Sequence, residues 1–203
     1  MIAVLDYGIG NLRSAEKALQ RVGGDARLVT DAADADGAVG IVLPGVGAFG
    51  RCMEALRETG LDTVALDGIE RGTPFLGICV GMQMLYEGSD EDPHVPGLGA
   101  LPGRVRRLPD GVKRPQMQWN RLDPVRPDDP LLRGLGDEPW VYFVHSYAVE
   151  ATRDAIATCE YGMTVTAAVG RPGLWATQFH PEKSSVAGLR ILANFVALTC
   201  EWR

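Results

Sequence analysis

The sequence predicts an α/β fold, in which a mostly parallel central sheet is covered by helices in three layers and extended by antiparallel strands at its C-terminal end. Up to about residue 88, short apolar runs typical of buried strands alternate with segments of helical periodicity, as in βαβ units. After that point, short strand-like pieces follow one another with little helix between them. The chain has 203 residues, of which 46% are hydrophobic, and no linker-like stretch, so we expect a single domain over residues 1–203.

Charge and cysteine content narrow the possible functions. A net charge of −6 offers no basic patch for nucleic acid. The apolar N-terminal run ends at Asp6, far too early for a signal peptide or a membrane span. The cysteines have neither C-x-x-C spacing nor the density of a disulfide framework; they are Cys52, Cys79, Cys159 and Cys200. We therefore expect a cytoplasmic protein without a membrane or nucleic-acid partner.

The chain begins with a predicted strand at 2–5 and a turn at 6–11. Asn11 is predicted to cap a helix whose apolar residues are Leu12, Ala15, Leu19 and Val22. A Gly-x-Gly pair in the turn resembles the start of a dinucleotide-binding motif, but the third glycine is replaced by Arg13, so nucleotide binding is not expected.

A glycine-rich loop follows the predicted strands at 26–30 and 39–43. Residues 44–50 contain three glycines directly after the second of these strands. Ligands of doubly wound sheets bind at this end of the strands. The loop is either a plain tight turn or a source of backbone N–H donors for an oxyanion, acting together with the N–H of Val80. A helical pattern broken at Gly60 then covers about 51–72.

Residues 74–84 resemble a nucleophile elbow with cysteine at its centre. An apolar strand ends at Ile78, and a helix is predicted over 80–87, ended by Gly88. Between them, Gly77-Ile-Cys-Val-Gly81 has the G-x-nucleophile-x-G form, and the N-terminus of a helix favours a thiolate. The alternative is a buried cysteine that acts only as a small apolar side chain.

The second half contains a possible partner for this cysteine. Strand-like pieces are predicted at 104–108, 140–144, 155–159, 164–169 and 174–179, with a surface loop at 123–139. His180 and Glu182 lie two residues apart, and Pro181 favours extended backbone at the histidine. The carboxylate can then hold one imidazole nitrogen while the other faces a thiol. A surface histidine beside a turn proline is the plainer interpretation. The last helix has apolar residues Val186, Leu189, Leu192 and Val196.

Together, these motifs resemble those of the class I (triad) glutamine amidotransferases, whose fold is flavodoxin-like. The resemblance rests on Gly77-Ile-Cys-Val-Gly-Met-Gln83, the Pro44-Gly-Val-Gly47 loop and Gln178-Phe-His-Pro-Glu-Lys-Ser184. Three further segments are similar to the branch of that family that supplies ammonia to a separate (β/α)₈-barrel cyclase in histidine biosynthesis. They are Asp6-Tyr-Gly-Ile-Gly-Asn11, Met117-Gln-Trp-Asn120 and Phe143-Val-His-Ser-Tyr147. One departure is Gln118, where the family usually has glycine, which affects the expected backbone near Trp119.

The resemblance implies a reaction and a set of site residues. Cys79 would attack the side-chain amide of L-glutamine, His180 would act as the base and Glu182 would orient it. The oxyanion would be held by the N–H of Val80 and one from Val46 or Gly47. The residues expected to contact glutamine are Gln83, Ser146 and Tyr147. His145 is a less favoured alternative base.

The same resemblance implies a protein partner. The residues expected to face the cyclase are Tyr7, Asn11, Trp119 and Asn120, although core packing is an equally good interpretation of the two aromatic residues. No cofactor and no metal site are expected. Two alternatives stay open: the same chemistry feeding another synthase of the anthranilate or guanylate type, and a non-catalytic flavodoxin-like binding module with an incidental cysteine.

Overall fold

The structure is a computed structural model that describes residues 1–201. Its strands are β1 (Ile2–Leu5), β2 (Ala26–Val29), β3 (Gly40–Gly45), β4 (Phe75–Cys79), β5 (Gly88–Ser89), β6 (Arg104–Arg107), β7 (Gln116–Arg121), β8 (Asp123–Pro124), β9 (Trp140–His145), β10 (Tyr147–Ala148), β11 (Ala155–Glu160), β12 (Thr164–Arg171) and β13 (Leu174–Thr177). Its α-helices are α1 (Leu12–Arg21), α2 (Phe49–Glu58), α3 (Leu61–Glu70), α4 (Val80–Met84) and α5 (Ser185–Glu201). Short 3₁₀ turns lie at Ala32–Ala35, Pro130–Leu132 and Pro181–Lys183.

The central sheet has eight strands in the order β2-β1-β3-β4-β13-β12-β11-β8. The first five strands are parallel to one another, and the last three continue the sheet in antiparallel pairing. A mostly parallel sheet with an antiparallel C-terminal extension is therefore confirmed. Smaller sheets, β10-β6-β5 and the ribbon β7-β9, lie outside it.

Helices cover both faces of this sheet. Neighbouring residues of a strand point to opposite faces, and in β3 Gly40 abuts Thr199 of α5 while the Ile41 side chain abuts Gly68 of α3. Helix α1 packs with α5, and α2 packs with α3 and α4, which gives three layers. Strands covered on both faces are almost entirely apolar, as in the fully buried Ile2–Leu5 and Leu174–Thr177, in which Thr177 is the one polar residue.

Several predicted boundaries differ from the structure. The helix predicted over 80–87 ends at Met84, and the loop predicted at 123–139 contains β8 and a 3₁₀ turn that buries Leu131 and Leu132. Asn11 occupies the N-cap position of α1, but its Oδ1 accepts a hydrogen bond from Ser14 Oγ (2.6 Å) and not from a backbone N–H, so the predicted side-chain cap is wrong. Strand β7 was not expected from the sequence.

Candidate active site

Three adjacent parallel strands end at the same edge of the sheet and bring the predicted motifs together. In the sheet register, Gly45 at the end of β3 lies beside Cys79 at the end of β4. On the other side of β4, Thr177 of β13 lies beside Ile78. The glycine-rich loop follows β3, and His180 is three residues beyond the end of β13. The carboxyl ends of β3, β4 and β13 thus form one crevice, as expected of a doubly wound sheet.

Cys79 has the strained backbone of a nucleophile elbow. Its φ of 55° and ψ of −111° are unusual for a residue with a side chain. A Cβ on Gly81 would overlap the carbonyl oxygen of Leu43, so only glycine allows α4 to lie this close to β3. The elbow therefore depends on glycine two residues after the cysteine, and it places the thiol at the start of α4.

His180 is held by main-chain contacts to the ribbon strand β9. Its backbone N–H donates to Tyr142 O (3.0 Å). Ser184 Oγ donates to His180 O (2.6 Å) and accepts from the N–H of Tyr142 (2.9 Å). These bonds fix the position of the His180 backbone at the edge of the crevice.

His180 and Glu182 form a buried pair. His180 Nδ1 donates to Glu182 Oε1 at 2.8 Å, and both side chains are 2% exposed. Burial on its own would lower the pKa of His180, but the nearby Cys79 sulfur and the hydrogen bond and charge of the Glu182 carboxylate raise it to about 9, although Nε2 makes no hydrogen bond among residues 1–201. The carboxylate therefore orients the ring so that Nε2 is left for the thiol, and it favours the imidazolium.

Asn11 also contacts this pair. Its Nδ2 lies 3.5 Å from Glu182 Oε1, a long hydrogen bond that joins the N-terminal turn to the carboxylate. Glu182 Oε2 is buried without a hydrogen-bond partner among residues 1–201. Asn11 is thus in contact with the residue expected to orient the base, besides lying in the segment expected to face a partner.

The glycine-rich loop lies against the mouth of the crevice. The loop residues Val46 and Gly47 line the same cavity as Val80, and Gly47 has a φ of 92°. Cys52 Sγ lies 3.3 Å from Val46 O, which turns this carbonyl towards α2. The Phe49 N–H at the start of α2 donates to Glu91 Oε2 (2.8 Å). The loop is therefore held on both sides of Gly47, where an added Cβ would meet nothing within 4 Å, whereas Gly45 and Gly50 are closely packed.

Two glutamines connect the loop that carries Ser146 and Tyr147 to Cys79. Gln83 Nε2 donates to Tyr147 O and to Gln178 Oε1, both at 2.9 Å. Gln178 Nε2 lies 3.8 Å from Cys79 Sγ. This chain of hydrogen bonds joins three separate segments beneath the crevice, since Cys79 and Gln83 belong to the same one.

The crevice opens into a cavity of about 490 Å³. Its lining residues include Cys79 and His180, and the full set is Gly10, Asn11, Val46, Gly47, Cys79, Val80, Gln83, Glu91, Pro115, Val144, His145, Ser146, Tyr147, His180 and Lys183. The volume suits a small polar ligand such as a free amino acid. Among residues 1–201, no group of three His, Cys, Asp or Glu could hold a metal ion.

The residues predicted to face a partner fall in different places. Tyr7 is 3% exposed and its hydroxyl donates to Pro44 O (2.7 Å), so of the two interpretations left open for Tyr7 the structure agrees with core packing and not with an exposed position facing a partner. Trp119 is 45% exposed and rests edge-on against Tyr142, with ring centroids 6.1 Å apart. The Asn120 amide donates to Glu160 O (3.1 Å). Asn11 lines the cavity.

His145 lies beside the cavity but has a different electrostatic environment. Burial lowers its pKa to about 4, opposed by the bond from Nδ1 to Tyr147 O (2.9 Å) and assisted by the charge of His180. Neutral at pH 7, it donates to a main-chain carbonyl in the loop that carries Ser146 and Tyr147. This environment favours His180 over His145 as the base.

Two residues of the site have little sequence signal of their own. Gln178 occurs only within the Gln178–Ser184 motif, and its spacing from His180 is its one signal. Glu91 lines the cavity and accepts from the start of α2, but an acidic residue in an Asp/Glu-rich loop has no distinguishing sequence pattern. Both positions depend on how the chain folds, not on local spacing.

Comparisons with known proteins agree with this geometry. The family model for glutamine amidotransferase class-I matches residues 3–198. Imidazole glycerol phosphate synthase subunit HisH of Symbiobacterium thermophilum is 50% identical over 202 residues, covering 98% of this chain and 95% of that protein. The subunit HisH of Methanothermobacter thermautotrophicus is also 50% identical over 202 residues, covering 98% of both chains. A crystal structure of a glutamine amidotransferase has a TM-score of 0.77 at 23% identity over 98% of both chains, which supports the fold alone.

Proposed function

The chain belongs to the glutamine amidotransferase class-I family, and on that premise we propose that it is the glutaminase subunit of an imidazole glycerol phosphate synthase in histidine biosynthesis. It hydrolyses L-glutamine to glutamate and ammonia. The ammonia passes to a (β/α)₈-barrel cyclase subunit, which makes imidazole glycerol phosphate and aminoimidazole-carboxamide ribotide.

The observation that carries this proposal is the buried His180–Glu182 pair beside a cysteine on a nucleophile elbow. Nδ1 is committed to Glu182 at 2.8 Å, so Nε2 is the nitrogen available to the Cys79 thiol. A cysteine, a histidine and an orienting carboxylate form the arrangement that activates a thiol as a nucleophile.

The proposed reaction has two halves. In the first, His180 Nε2 takes the thiol proton and Cys79 Sγ attacks the side-chain carbonyl carbon of glutamine. The tetrahedral intermediate collapses as the C–N bond breaks, His180 returns the proton to the leaving nitrogen, and ammonia departs from a γ-glutamyl thioester. In the second half, His180 takes a proton from water, the hydroxide adds to the thioester carbon, and the C–S bond breaks to give glutamate.

Charge on the carbonyl oxygen is stabilised by backbone donors in this proposal. Val80, at the start of α4, lines the same cavity as Cys79, as do Val46 and Gly47. The proposed donors are the N–H of Val80 and that of Val46 or Gly47. Removing one such donor typically slows acyl transfer by about 10²–10³-fold.

The remaining cavity residues are proposed to hold the amino-acid end of glutamine. Gln83 is one turn of α4 beyond Cys79, and Ser146 and Tyr147 form the facing wall. Glu91 provides a carboxylate that complements the α-ammonium group. A cavity that combines one carboxylate with main-chain polar groups suits a zwitterion better than an apolar ligand.

The cyclase is proposed to bind the ribbon β7-β9 and the neighbouring N-terminal turn. Large apolar side chains that are unusually exposed cluster here; they are Met117, Trp119, Trp140 and Val186. Trp119, Trp140 and Val186 line one groove. Asn11 and Asn120 lie in two of the three segments that resemble this branch of the family, Asp6–Asn11 and Met117–Asn120. Contiguous exposed apolar surface of this kind is typical of a protein interface.

None of the helices among residues 1–201 is long and apolar enough to span a membrane.

Glutamine turnover measured with and without a cyclase tests this proposal. We expect slow release of glutamate by the isolated chain and a large increase when a purified cyclase subunit of an imidazole glycerol phosphate synthase and its ligand are added. Turnover that is fast alone and unchanged by the cyclase would contradict the proposed partner and favour another acceptor synthase. No turnover under either condition, with no labelling of Cys79 by a glutamine-analogue electrophile, would favour a non-catalytic module.

A further inference from the structure

Gln178 is a completely buried amide at the base of the crevice, between the end of β13 and His180. Its side chain is 0% exposed and its backbone N–H donates to Ala167 O. Buried side-chain amides are expected to have hydrogen-bond partners, and the only acceptor for Gln178 Nε2 among residues 1–201 is Cys79 Sγ, 3.8 Å away. The contact that satisfies this amide is therefore the sulfur of the proposed nucleophile.

The hydrogen-bond chain determines which end of the amide faces the sulfur. Tyr147 O can only accept, so the atom of Gln83 that lies 2.9 Å from it is Nε2. The same Nε2 lies 2.9 Å from Gln178, so the Gln178 atom facing it is the acceptor Oε1. Gln178 Nε2 is then left to face Cys79 as a donor. The orientation of the Gln178 amide is therefore determined by the Tyr147 carbonyl, through Gln83. It does not depend on the ionisation of any group.

We propose that Gln178 is a positioning residue for the Cys79 thiolate, stabilising it with an N–H donor that does not titrate. This inference rests on the proposed function and assigns a role to a residue outside the Cys79, His180 and Glu182 set. Hydrogen bonds donated to an anion are stronger than those donated to a neutral group, so the contact favours the thiolate over the thiol.

The amide donor has a distinct role in the second half of the reaction. When the C–S bond of the thioester breaks, the sulfur leaves with the electron pair as a thiolate. By that step His180 Nε2 has taken a proton from the attacking water, so the imidazolium is a second donor to the sulfur, but one that gains and loses its proton during the reaction. Gln178 Nε2 is on a different side chain and can stabilise the departing thiolate throughout.

The proposal is tested by the pH dependence of Cys79 alkylation with iodoacetamide. The reaction is followed by mass spectrometry of the peptide that contains Cys79, in a Cys200→Ser background because Cys200 is exposed whereas Cys52 and Cys159 are buried. Gln178→Met removes the donor with little change in shape. Gln178→Glu keeps an acceptor for Gln83 but puts a carboxylate beside the sulfur.

We expect the midpoint of the alkylation profile to rise by about 0.5–1 pH unit in Gln178→Met and by more in Gln178→Glu, where like charges repel. Well below the wild-type midpoint, the rate follows the thiolate fraction, so a shift of one unit is about a tenfold loss of rate. Phe179→Leu is the matched control, because Phe179 is equally buried and packs on Phe143, and its side chain has no N–H or O–H to donate to the sulfur. An unchanged midpoint in both Gln178 variants, or an equal shift in Phe179→Leu, would overturn the proposal.

A measurement on the wild-type chain covers the case in which the Gln178 variants fail to fold. The side-chain ¹H–¹⁵N signals of Gln178 are expected to shift with pH at the midpoint of Cys79 alkylation, and to move again once Cys79 is alkylated. Signals that respond to neither change would refute the contact. Neither experiment uses glutamine or a cyclase, so a failure here leaves the turnover test of the proposed function standing, and the reverse also holds.

Discussion

His180 is the residue whose environment differs most from that of an ordinary histidine. Its pKa is raised to about 9 although burial opposes the charge, because the Cys79 thiol and the Glu182 carboxylate both favour the imidazolium. The imidazolium is therefore favoured near neutral pH. In the proposed reaction this lets His180 hold the proton of the Cys79 thiol until it is returned to the leaving nitrogen.

The raised pKa of His180 predicts a pH-dependent contribution to stability. The folded state binds the proton more tightly than the unfolded state, in which an imidazole has a pKa of about 6.5. The contribution is therefore complete below about pH 6.5 and is lost as the pH rises through about 9. We expect His180→Gln to lower the free energy of unfolding by on the order of 2–3 kcal/mol more at pH 6 than at pH 10. Urea unfolding of both proteins at each pH measures this difference.

His145→Gln provides the control with the opposite sign. Burial lowers the pKa of His145 to about 4, so the folded state resists its protonation and the wild-type chain loses stability as the pH falls from about 6.5 towards 4. The variant is expected to lose less stability over this range. If both variants followed the wild-type pH dependence, neither histidine would have the environment described here.

Elements meet at the site through close backbone approaches that only glycine allows. Helix α4 starts directly after Cys79 and crosses β3 at Gly81, against the carbonyl of Leu43. The same approach brings the N-terminus of α4, with the N–H of Val80, beside the loop that follows β3. The proposed oxyanion donors from two elements are therefore adjacent because α4 and β3 touch.

Gly81→Ala is predicted to disrupt both stability and reactivity. The added methyl would overlap the Leu43 backbone, which cannot rotate away as a side chain can. We expect a loss of at least about 1–3 kcal/mol in the free energy of unfolding, as for overpacked cores, together with slow alkylation of Cys79. Gly24→Ala is the comparison, since its Cβ would meet chiefly the methyl groups of Val196 and Ile2, which can shift. Equal stability of the two variants would contradict the account of the elbow.

How far the elements could be predicted depends on how they are buried. Strands covered on both faces, such as Ile2–Leu5, are continuous apolar runs and were predicted at their observed positions. Sequence patterns miss strand β7 because every residue of Gln116–Arg121 is polar or exposed, so neither alternation nor an apolar run marks it. The short helix α4 was predicted too long because the apolar residues after Met84 are buried outside the helix.

The site itself could be predicted only where one segment carries the chemistry. The elbow around Cys79 and the His180–Glu182 spacing are local patterns, and the structure brings both to one crevice. The pairing of Gln178 with Cys79 depends on the register of β13 with β4 and on a hydrogen-bond chain through Gln83. The burial of Tyr7 likewise depends on its contact with Pro44 on another strand. No local pattern contains such information.

At the scale of the whole molecule, strand order explains why separate motifs form one site. Strands β3, β4 and β13 are neighbours in space although β13 lies almost 100 residues later in the chain. The ribbon β7-β9 is joined to His180 through Tyr142 and Ser184, and it also carries the exposed Trp119. In the proposed complex, the ribbon that meets the cyclase is thus joined to the proposed base directly, by the hydrogen bond from the His180 N–H to Tyr142 O.

The most direct test of the proposed mechanism is the Cys79→Ala variant assayed in complex with a cyclase subunit. Synthesis of imidazole glycerol phosphate is measured with glutamine and, separately, with ammonium salts as the nitrogen source. We expect glutamine-dependent synthesis to be abolished and ammonium-dependent synthesis to match that of the wild-type complex, because only the release of ammonia requires the thiol. Glutamine-dependent synthesis that persists in the variant would contradict the central role of Cys79.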